Sequence, residues 1–188
     1  MELHLAYSTC PNDTFIFEAL ANGRLDTGDL RFRITLADIQ ELNELAAQAQ
    51  ADVVKVSYAA WAAHLHHHYT LLEAGGALGT GVGPLLVAQP GTTLAALAQQ
   101  PVAIPGRDTT AHFLLNHYAP GLQHKPVLRF DEIMPAVANG KAAAGVIIHE
   151  SRFTYPDYGL VCLQDLGQHW EATTGLPIPL GGIVARTS

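Results

Sequence analysis

The stretch LRFRITLADIQELNELAAQAQADVVKVS, residues 30–57, decides the fold class because it holds a strand, a helix and a second strand in succession. In residues 30–36 apolar side chains alternate with arginine and threonine, which is the two-residue period of a strand with one buried face. Residues 39–49 place leucine and alanine along one helical stripe. Residues 53–56 are apolar apart from Lys55, as in a strand covered on both faces. This order predicts an α/β unit.

The rest of the chain continues the alternation. Short apolar runs predict further strands at residues 3–7, 71–74, 85–88, 102–104, 127–130, 145–148 and 161–163. Helical spacing of apolar residues predicts helices at residues 14–21, 59–66, 94–99, 110–118 and 133–139. The pattern favours a mainly parallel α/β architecture, whose ligands bind beyond the carboxyl ends of the strands.

Two glycine-rich stretches divide the chain. Residues 75–84 and 175–182 are both rich in glycine and proline, and we interpret them as crossings between two lobes. We predict a first lobe at 1–86, a second lobe at 87–181 and a return toward the first lobe at 182–188. Two lobes around a cleft, joined by two strands, are suited to closing on a ligand.

Composition excludes several classes of partner. The 188 residues carry a net charge of −7, and the ten Lys and Arg are scattered singly, so nucleic acid is not an expected partner. No apolar run reaches the roughly 18 residues of a membrane span, and the amino terminus lacks signal-peptide features. We therefore expect no membrane partner, a cytoplasmic location and two free thiols, Cys10 and Cys162.

Two predicted helix starts are candidate anion sites, because main-chain N–H groups and the helix dipole attract negative charge there. The first follows strand 3–7 and offers Ser8 and Asn12, although simple capping by Asn12 or Asp13 is an alternative. The second follows strand 102–104, where Thr109, Thr110 and Ala111 offer two hydroxyls and two amides. Capping is again the alternative. Because the net charge is negative, any anion site must be local.

Two more candidates lie at strand ends. Lys55 and Ser57 fall where ligand contacts cluster in α/β sheets, although Lys55 can also extend along the surface to water. His149 ends the apolar run 145–148, and its ordinary pKa of about 6.5 suits a general base. Residues 150–155 offer partners to fix its tautomer. We expect His149 and the helix start at Thr110 to share a pocket between the lobes.

Three other patterns lack the residue spacing that a metal or dinucleotide site requires. Three adjacent histidines, His66, His67 and His68, cannot share one helical face as metal ligands do. The pair His149–Glu150 has Phe153 where a zinc protease has its second histidine. The glycine run at 79–83 precedes a strand instead of opening a helix, against a dinucleotide site. No metal site is predicted.

Seven motifs in order resemble the 1,4-dihydroxy-6-naphthoate synthase family of the futalosine route to menaquinone, and the resemblance runs nearly end to end. They are CPNDTFIF (10–17), KVSYA (55–59), GGALG (75–79), GPL (83–85), PGR (105–107), TTA (109–111) and IHESRFTY (148–155). The resemblance implies the type II periplasmic-binding-protein fold. It also implies a lyase that splits cyclic dehypoxanthine futalosine into 1,4-dihydroxy-6-naphthoate and dihydroxyacetone.

The resemblance also assigns roles to residues. It implies that His149 is the base, that Lys55, Val56 and Ser57 contact the substrate at a strand end, and that Thr110 and Ala111 contact it at a helix start. The ligand is then a small aromatic carboxylate, with no metal or organic cofactor. Two alternatives stay open: chorismate dehydratase of the same pathway, and a non-catalytic protein that binds a small anion.

The sequence departs from the family in two places. Thr9 stands where members often have proline, and the sequence ends at Ser188 whereas members continue through several further helices. We expect the missing helices to leave an apolar surface uncovered, through which copies of the chain associate.

Overall fold

The computed structural model describes residues 1–187, which form two compact units. Unit 1 comprises Met1–Ala77 and the chain from Leu180 onward, and unit 2 comprises Leu78–Pro179. The first boundary therefore lies after residue 77, whereas the sequence prediction placed it after residue 86. The reason is that the strand Leu85–Ala88 pairs on both sides with strands of unit 2. The return lies at residue 180, two positions before the predicted 182.

The secondary structure alternates along the chain. Its strands are β1 (Glu2–Ser8), β2 (Arg31–Ala37), β3 (Val53–Ser57), β4 (Tyr69–Leu71), β5 (Ala77–Gly79), β6 (Leu85–Ala88), β7 (Val102–Ala103), β8 (Ala144–Ile147), β9 (Val161–Asp165) and β10 (Ile178–Arg186). Its helices are α1 (Pro11–Ala21), α2 (Ile39–Ala47), α3 (Tyr58–Ala63), α4 (Thr110–Tyr118), α5 (Phe130–Ala138), α6 (Ser151–Thr154) and α7 (Leu166–Thr174). Short 3-10 turns occur at Leu65–His67, Leu94–Leu97 and Tyr155–Tyr158.

The sheet of unit 1 has the strand order β2-β1-β3-β10-β4. Strand β1 pairs in parallel with β2 and β3, whereas β10 is antiparallel to β3 and β4. Helix α2 begins with a capping box between Asp38 and Glu41, which satisfies two main-chain N–H groups at its start. Its buried Leu42 and Ala46 belong to the same apolar cluster as Val54 of β3. The predicted stripe of α2 therefore lies on the sheet.

The sheet of unit 2 has the order β7-β8-β6-β9. Strands β7 and β8 are parallel, but β6 is antiparallel to both β8 and β9. Helix α5 covers this sheet with Ile133 and Val137, which cluster with Ala103 and Ile147. Gly145 of β8 leaves room for α5, since a Cβ there would lie 2.4 Å from Cγ2 of Ile133.

Several local predictions were wrong. Both sheets are mixed, so the mainly parallel architecture is corrected. The predicted strand at 127–130 is reduced to a bridge between Val127 and Ile104, because α5 begins at Phe130 with two acidic residues in its first turn. Strand β4 ends at Leu71 instead of extending to residue 74. Helix α7 was not predicted. Within residues 1–187, no helix combines the length and the apolar character needed to cross a bilayer.

Candidate functional site

Lys55 in unit 1 is buried together with a counter-ion. Its Nζ lies 3.3 Å from Oδ1 of Asp13, and the two side chains are only 7% and 8% exposed. The same Nζ donates to the carbonyl of Gly75 at 3.1 Å. The alternative in which Lys55 extends to water is therefore wrong. A buried ammonium needs such a partner because an unpaired charge is strongly disfavoured away from water.

The first turn of α1 provides Asp13, the carboxylate of this ion pair. The cap position of α1 is Cys10, which makes no side-chain cap, so capping by Asn12 or Asp13 is wrong. Instead the hydroxyl of Ser8 donates to Oδ2 of Asp13 at 2.7 Å and accepts from the Cys10 amide at 3.3 Å. Ser8 is buried, and its hydroxyl is engaged within the protein. Asn12 is exposed.

A cavity of about 500 Å³ opens beside the ion pair in unit 1. Its walls combine the first turn of α1, the buried lysine and the glycine turn after β4. The lining residues are Pro11, Asn12, Asp13, Phe15, Ile16, Lys55, Gly75, Gly76 and Ala77. Phe15 is 84% exposed, so an aromatic ring stands at the solvent side of this cavity. The cavity presents the Lys55–Asp13 ion pair, the Asn12 amide and an apolar wall to a small ligand.

Ser57, at the carboxyl end of β3, is held by a residue of α2. Asn43 donates from Nδ2 to the Ser57 hydroxyl at 3.2 Å and accepts from the Ser57 amide at 2.9 Å. Both residues are buried, and Val56 between Lys55 and Ser57 is fully buried in the sheet. Asn43 therefore fixes the strand end at which three of the predicted contacts lie.

The helix start in unit 2 has its cap at Thr109. The Thr109 hydroxyl accepts from the His112 amide at 3.2 Å and donates to the Gly106 carbonyl at 2.8 Å. The Thr110 hydroxyl donates to the carbonyl of Pro179 at 3.0 Å. Capping is thus confirmed for Thr109. The amides of Thr110 and Ala111 lie in the first turn of α4, where the helix itself provides no acceptors.

His149 adopts a backbone conformation that is uncommon for residues other than glycine. It follows β8, is exposed, and has φ of 55°, in the left-handed region. For a residue with a Cβ this conformation costs about 1–2 kcal/mol, and such strain concentrates at functional sites. The imidazole meets the ring of Phe130 edge-on, with the centroids 5.7 Å apart.

The sheet of unit 2 brings His149 and the helix start to one edge. Strands β7 and β8 are parallel neighbours, with Val102 opposite Ala144, so their carboxyl ends lie on the same side of the sheet. The start of α4 at Thr110 comes after β7, and His149 comes after β8. The other predicted residues, Ser8, Asn12, Lys55, Val56 and Ser57, all belong to unit 1.

Sequence reasoning missed two residues with defined tasks. Asp13 was weighed only as a cap, although a lysine within a buried strand requires a nearby carboxylate. Asn43 occurs on the buried side of α2 beside Leu42, and a buried amide at such a position indicates a specific hydrogen-bonding task.

Cys162 and the three adjacent histidines offer no alternative metal or thiolate site within the described residues. Within residues 1–187 no three His, Cys, Asp or Glu side chains converge to hold a metal ion. Burial, together with the nearby Asp165 carboxylate, raises the pKa of the Cys162 thiol, so the thiolate required of a nucleophile is disfavoured. His66, His67 and His68 are exposed, as expected.

Comparison with known proteins identifies the lineage of the chain. Residues 3–188 match the protein family described as "Menaquinone biosynthesis". The chain therefore belongs to the menaquinone biosynthesis family. A 1,4-dihydroxy-6-naphthoate synthase of Thermus thermophilus is 52% identical over 184 residues, which cover 98% of this chain and 66% of that protein. The chain thus spans slightly less than two thirds of this relative's length.

Solved structures of similar proteins agree with the fold of this member of the menaquinone biosynthesis family. The crystal structure of protein AF1704 from Archaeoglobus fulgidus matches with a TM-score of 0.90 at 35% identity, over 100% of this chain and 69% of that one. The Candida albicans protein CA3427 matches with a TM-score of 0.71 at 14% identity, over 99% of this chain and 63% of that one. It is described as having the generic periplasmic binding protein fold, so the predicted fold class is confirmed.

Proposed function

We propose that the protein is a carbon–carbon lyase of menaquinone biosynthesis. It converts cyclic dehypoxanthine futalosine into 1,4-dihydroxy-6-naphthoate and dihydroxyacetone. The observation that carries this proposal is the 52% identity, over 98% of the chain, to a relative named 1,4-dihydroxy-6-naphthoate synthase. Three features support the proposal: His149 and the first turn of α4 in unit 2, and the buried Lys55–Asp13 pair in unit 1.

His149 is the proposed base that abstracts the proton with which fragmentation begins. Its exposed imidazole follows the carboxyl end of β8, where a substrate can reach it. A positioned histidine of this kind contributes about 10²- to 10⁴-fold to a proton-transfer step. The strained backbone supports the assignment, since such conformations persist where function requires a particular direction of the side chain.

The first turn of α4 is the proposed partner of the substrate carboxylate. The Thr109 cap fixes this turn, and the Thr110 hydroxyl already bonds Pro179. We therefore assign carboxylate binding to main-chain N–H groups at Thr110 and Ala111 rather than to the two hydroxyls. A helix start binds a carboxylate through such groups and through the helix dipole.

In unit 1, Lys55 and Asn12 are the proposed direct contacts because both line the cavity. For Ser8 and Ser57 we propose an indirect effect on ligand binding. The Ser8 hydroxyl donates to Asp13, and the Ser57 hydroxyl accepts from Asn43. Val56 is proposed to contribute to ligand binding through its main chain, which lies between Lys55 and Ser57 in β3.

The test is product formation from cyclic dehypoxanthine futalosine, followed by absorbance of the released naphthoate. We expect His149→Asn to lower kcat by about 10²- to 10⁴-fold. Asparagine tolerates the left-handed backbone, so this variant removes the imidazole without changing the turn. The matched control is His124→Asn, an exposed histidine of the same unit, which should retain full turnover. Unchanged turnover of His149→Asn would remove this residue from the mechanism.

Two further incubations separate the alternatives. Turnover of chorismate in place of the futalosine derivative would assign the protein as a chorismate dehydratase. Tight calorimetric binding of either compound without any product would assign it as a binding protein.

A further inference from the structure

We propose that Arg152 is a positioning residue that fixes the imidazole of His149. The inference deepens the proposed function and rests on it, because it concerns the residue proposed as the base. His149 has a left-handed backbone conformation and lies in the turn between β8 and α6. The helix that follows it, α6, is only four residues long.

Arg152 joins that turn to two acceptors elsewhere in unit 2. One terminal nitrogen donates to the Gly83 carbonyl at 3.0 Å, and the other donates to Oδ2 of Asp165 at 3.1 Å. The Arg152 side chain is 20% exposed, so solvent competes less with these bonds than at the surface. A planar guanidinium that bonds two acceptors resists rotation as well as displacement.

Both acceptors are themselves fixed. Asp165 caps α7 by accepting from the Gln168 amide at 3.0 Å. Gly83 packs so closely that a Cβ there would lie 2.9 Å from the Cα of Gly167. The Leu166 amide also donates to the Pro84 carbonyl at 3.0 Å. Arg152 is therefore bound to a rigid junction between the segment before β6 and the start of α7.

The link from Arg152 to His149 is direct. The Arg152 amide donates to the His149 carbonyl at 3.4 Å, so the residue that carries the guanidinium also holds the main chain of the strained histidine. Without the guanidinium contacts the turn relaxes, His149 leaves the left-handed region, and the ring turns away from Phe130.

The first measurement is independent of activity. In protein labelled with ¹³C and ¹⁵N at histidine, the ring signals of His149 are assigned by their loss in His149→Asn. We expect Arg152→Ala to shift and broaden these signals, since the ring loses its fixed distance to Phe130. The signals of His4, whose ring is hydrogen-bonded in unit 1 to Gln50 and Thr35, should stay unchanged.

Two further variants guard against misfolding of Arg152→Ala. Asp165→Asn removes the charge of one acceptor, and Arg152→Lys retains a cation that can reach only one acceptor. Both should shift the His149 signals in the same direction by a smaller amount. The control is Arg24→Ala, which breaks an exposed arginine–carboxylate pair with Glu18 and should leave the His149 signals in place.

The second measurement is turnover. Arg152→Ala should lower kcat by about 10- to 100-fold, because a small misplacement of a catalytic group is sufficient for such a loss. KM should change by less than about threefold, since binding is not disturbed. Unshifted His149 signals in folded Arg152 variants overturn the positioning role, whatever the turnover. Shifted signals with unchanged kcat overturn instead the role of His149 as the base.

Discussion

Nζ of Lys55 and Oδ1 of Asp13 lie 3.3 Å apart between side chains that are less than a tenth exposed. The pair joins the middle of β3 to the first turn of α1, and the Gly75 carbonyl adds a contact from the turn after β4. One buried charge pair thus connects three segments around the cavity of unit 1. Its energetic role can be measured without any substrate.

Replacing only one member of this pair should destabilise the protein much more than replacing both members. We expect Asp13→Asn to lower the free energy of unfolding by about 3–5 kcal/mol, because an uncompensated ammonium stays buried. Adding Lys55→Met should recover much of that loss. Urea denaturation measures both variants. The control Glu18→Gln breaks a surface pair and should change stability by less than about 1 kcal/mol. Equal effects of Asp13→Asn and Glu18→Gln would contradict the prediction.

The positive φ at residue 149 predicts that a glycine variant is more stable there than an alanine variant, which is the reverse of the usual order. His149→Gly should be more stable than His149→Ala by about 1 kcal/mol, because glycine, unlike alanine, adopts a positive φ without strain. Thermal unfolding of the two variants measures the difference. At an ordinary exposed helical position the order is opposite, so Ala62→Gly in α3 should be destabilising. An alanine variant at 149 that equals the glycine variant would show that the strain is absent.

Thr109 should matter to stability through its hydroxyl alone. Thr109→Ala removes the cap of α4 and the donor to the Gly106 carbonyl, and we expect it to cost about 1–2 kcal/mol. Thr109→Ser retains the hydroxyl and should lose only a small part of this amount. Chemical denaturation compares the three proteins. A serine variant as unstable as the alanine variant would assign the effect to the methyl group instead.

Alkaline pH should destabilise the protein through Tyr69. Burial raises the pKa of Tyr69 above its ordinary value, so above about pH 10 the unfolded chain loses a phenolic proton that the folded chain retains. The contribution of Tyr69 to the free energy of unfolding therefore falls as the pH rises beyond 10, and it is constant below about pH 9.

Tyr69→Phe should weaken this alkaline dependence. The remainder includes Tyr7 and Cys162, whose pKa values burial also raises, whereas the lowered pKa of the partly buried Lys125 acts in the opposite direction. At neutral pH the same variant should lose about 1 kcal/mol, because the phenol donates to the Ala51 carbonyl at 2.6 Å. Unfolding curves between pH 8 and 12 test both statements. Identical curves for the two proteins across this range would refute them.

Much of the fold was predictable because local patterns determine it. The helix predicted at residues 110–118 coincides with α4, and the strand predicted at 85–88 coincides with β6. Strand direction was not predictable, because the apolar runs of β6 and β10 are the same for parallel and antiparallel pairing. Helix α7 was missed because few of its residues are buried. The remaining sequence signals for α7 are its two ends, the Asp165 cap and the terminal Gly175.

The sequence indicated candidate site residues one by one, but it did not indicate most of the contacts that hold them. Lys55, Ser57, Thr109 and His149 were chosen as candidates because each lies at a strand end or a helix start. Asp13 of α1 and Asn43 of α2 contact Lys55 and Ser57 from other elements, whereas Arg152 lies in the segment 150–155 that was expected to offer partners to His149. Such pairs depend on tertiary packing, to which a single sequence gives no direct access.

Strand β10 has a consequence for the order in which the two units form during synthesis. Unit 2 is one continuous segment, Leu78–Pro179, and can fold as soon as the ribosome has released it. The sheet of unit 1 has β10 between β3 and β4, so it stays incomplete until the chain around Val184 emerges. Until then β3 exposes an unpaired edge that can join other chains. Unit 1 is therefore completed only after the whole of unit 2 has been synthesised.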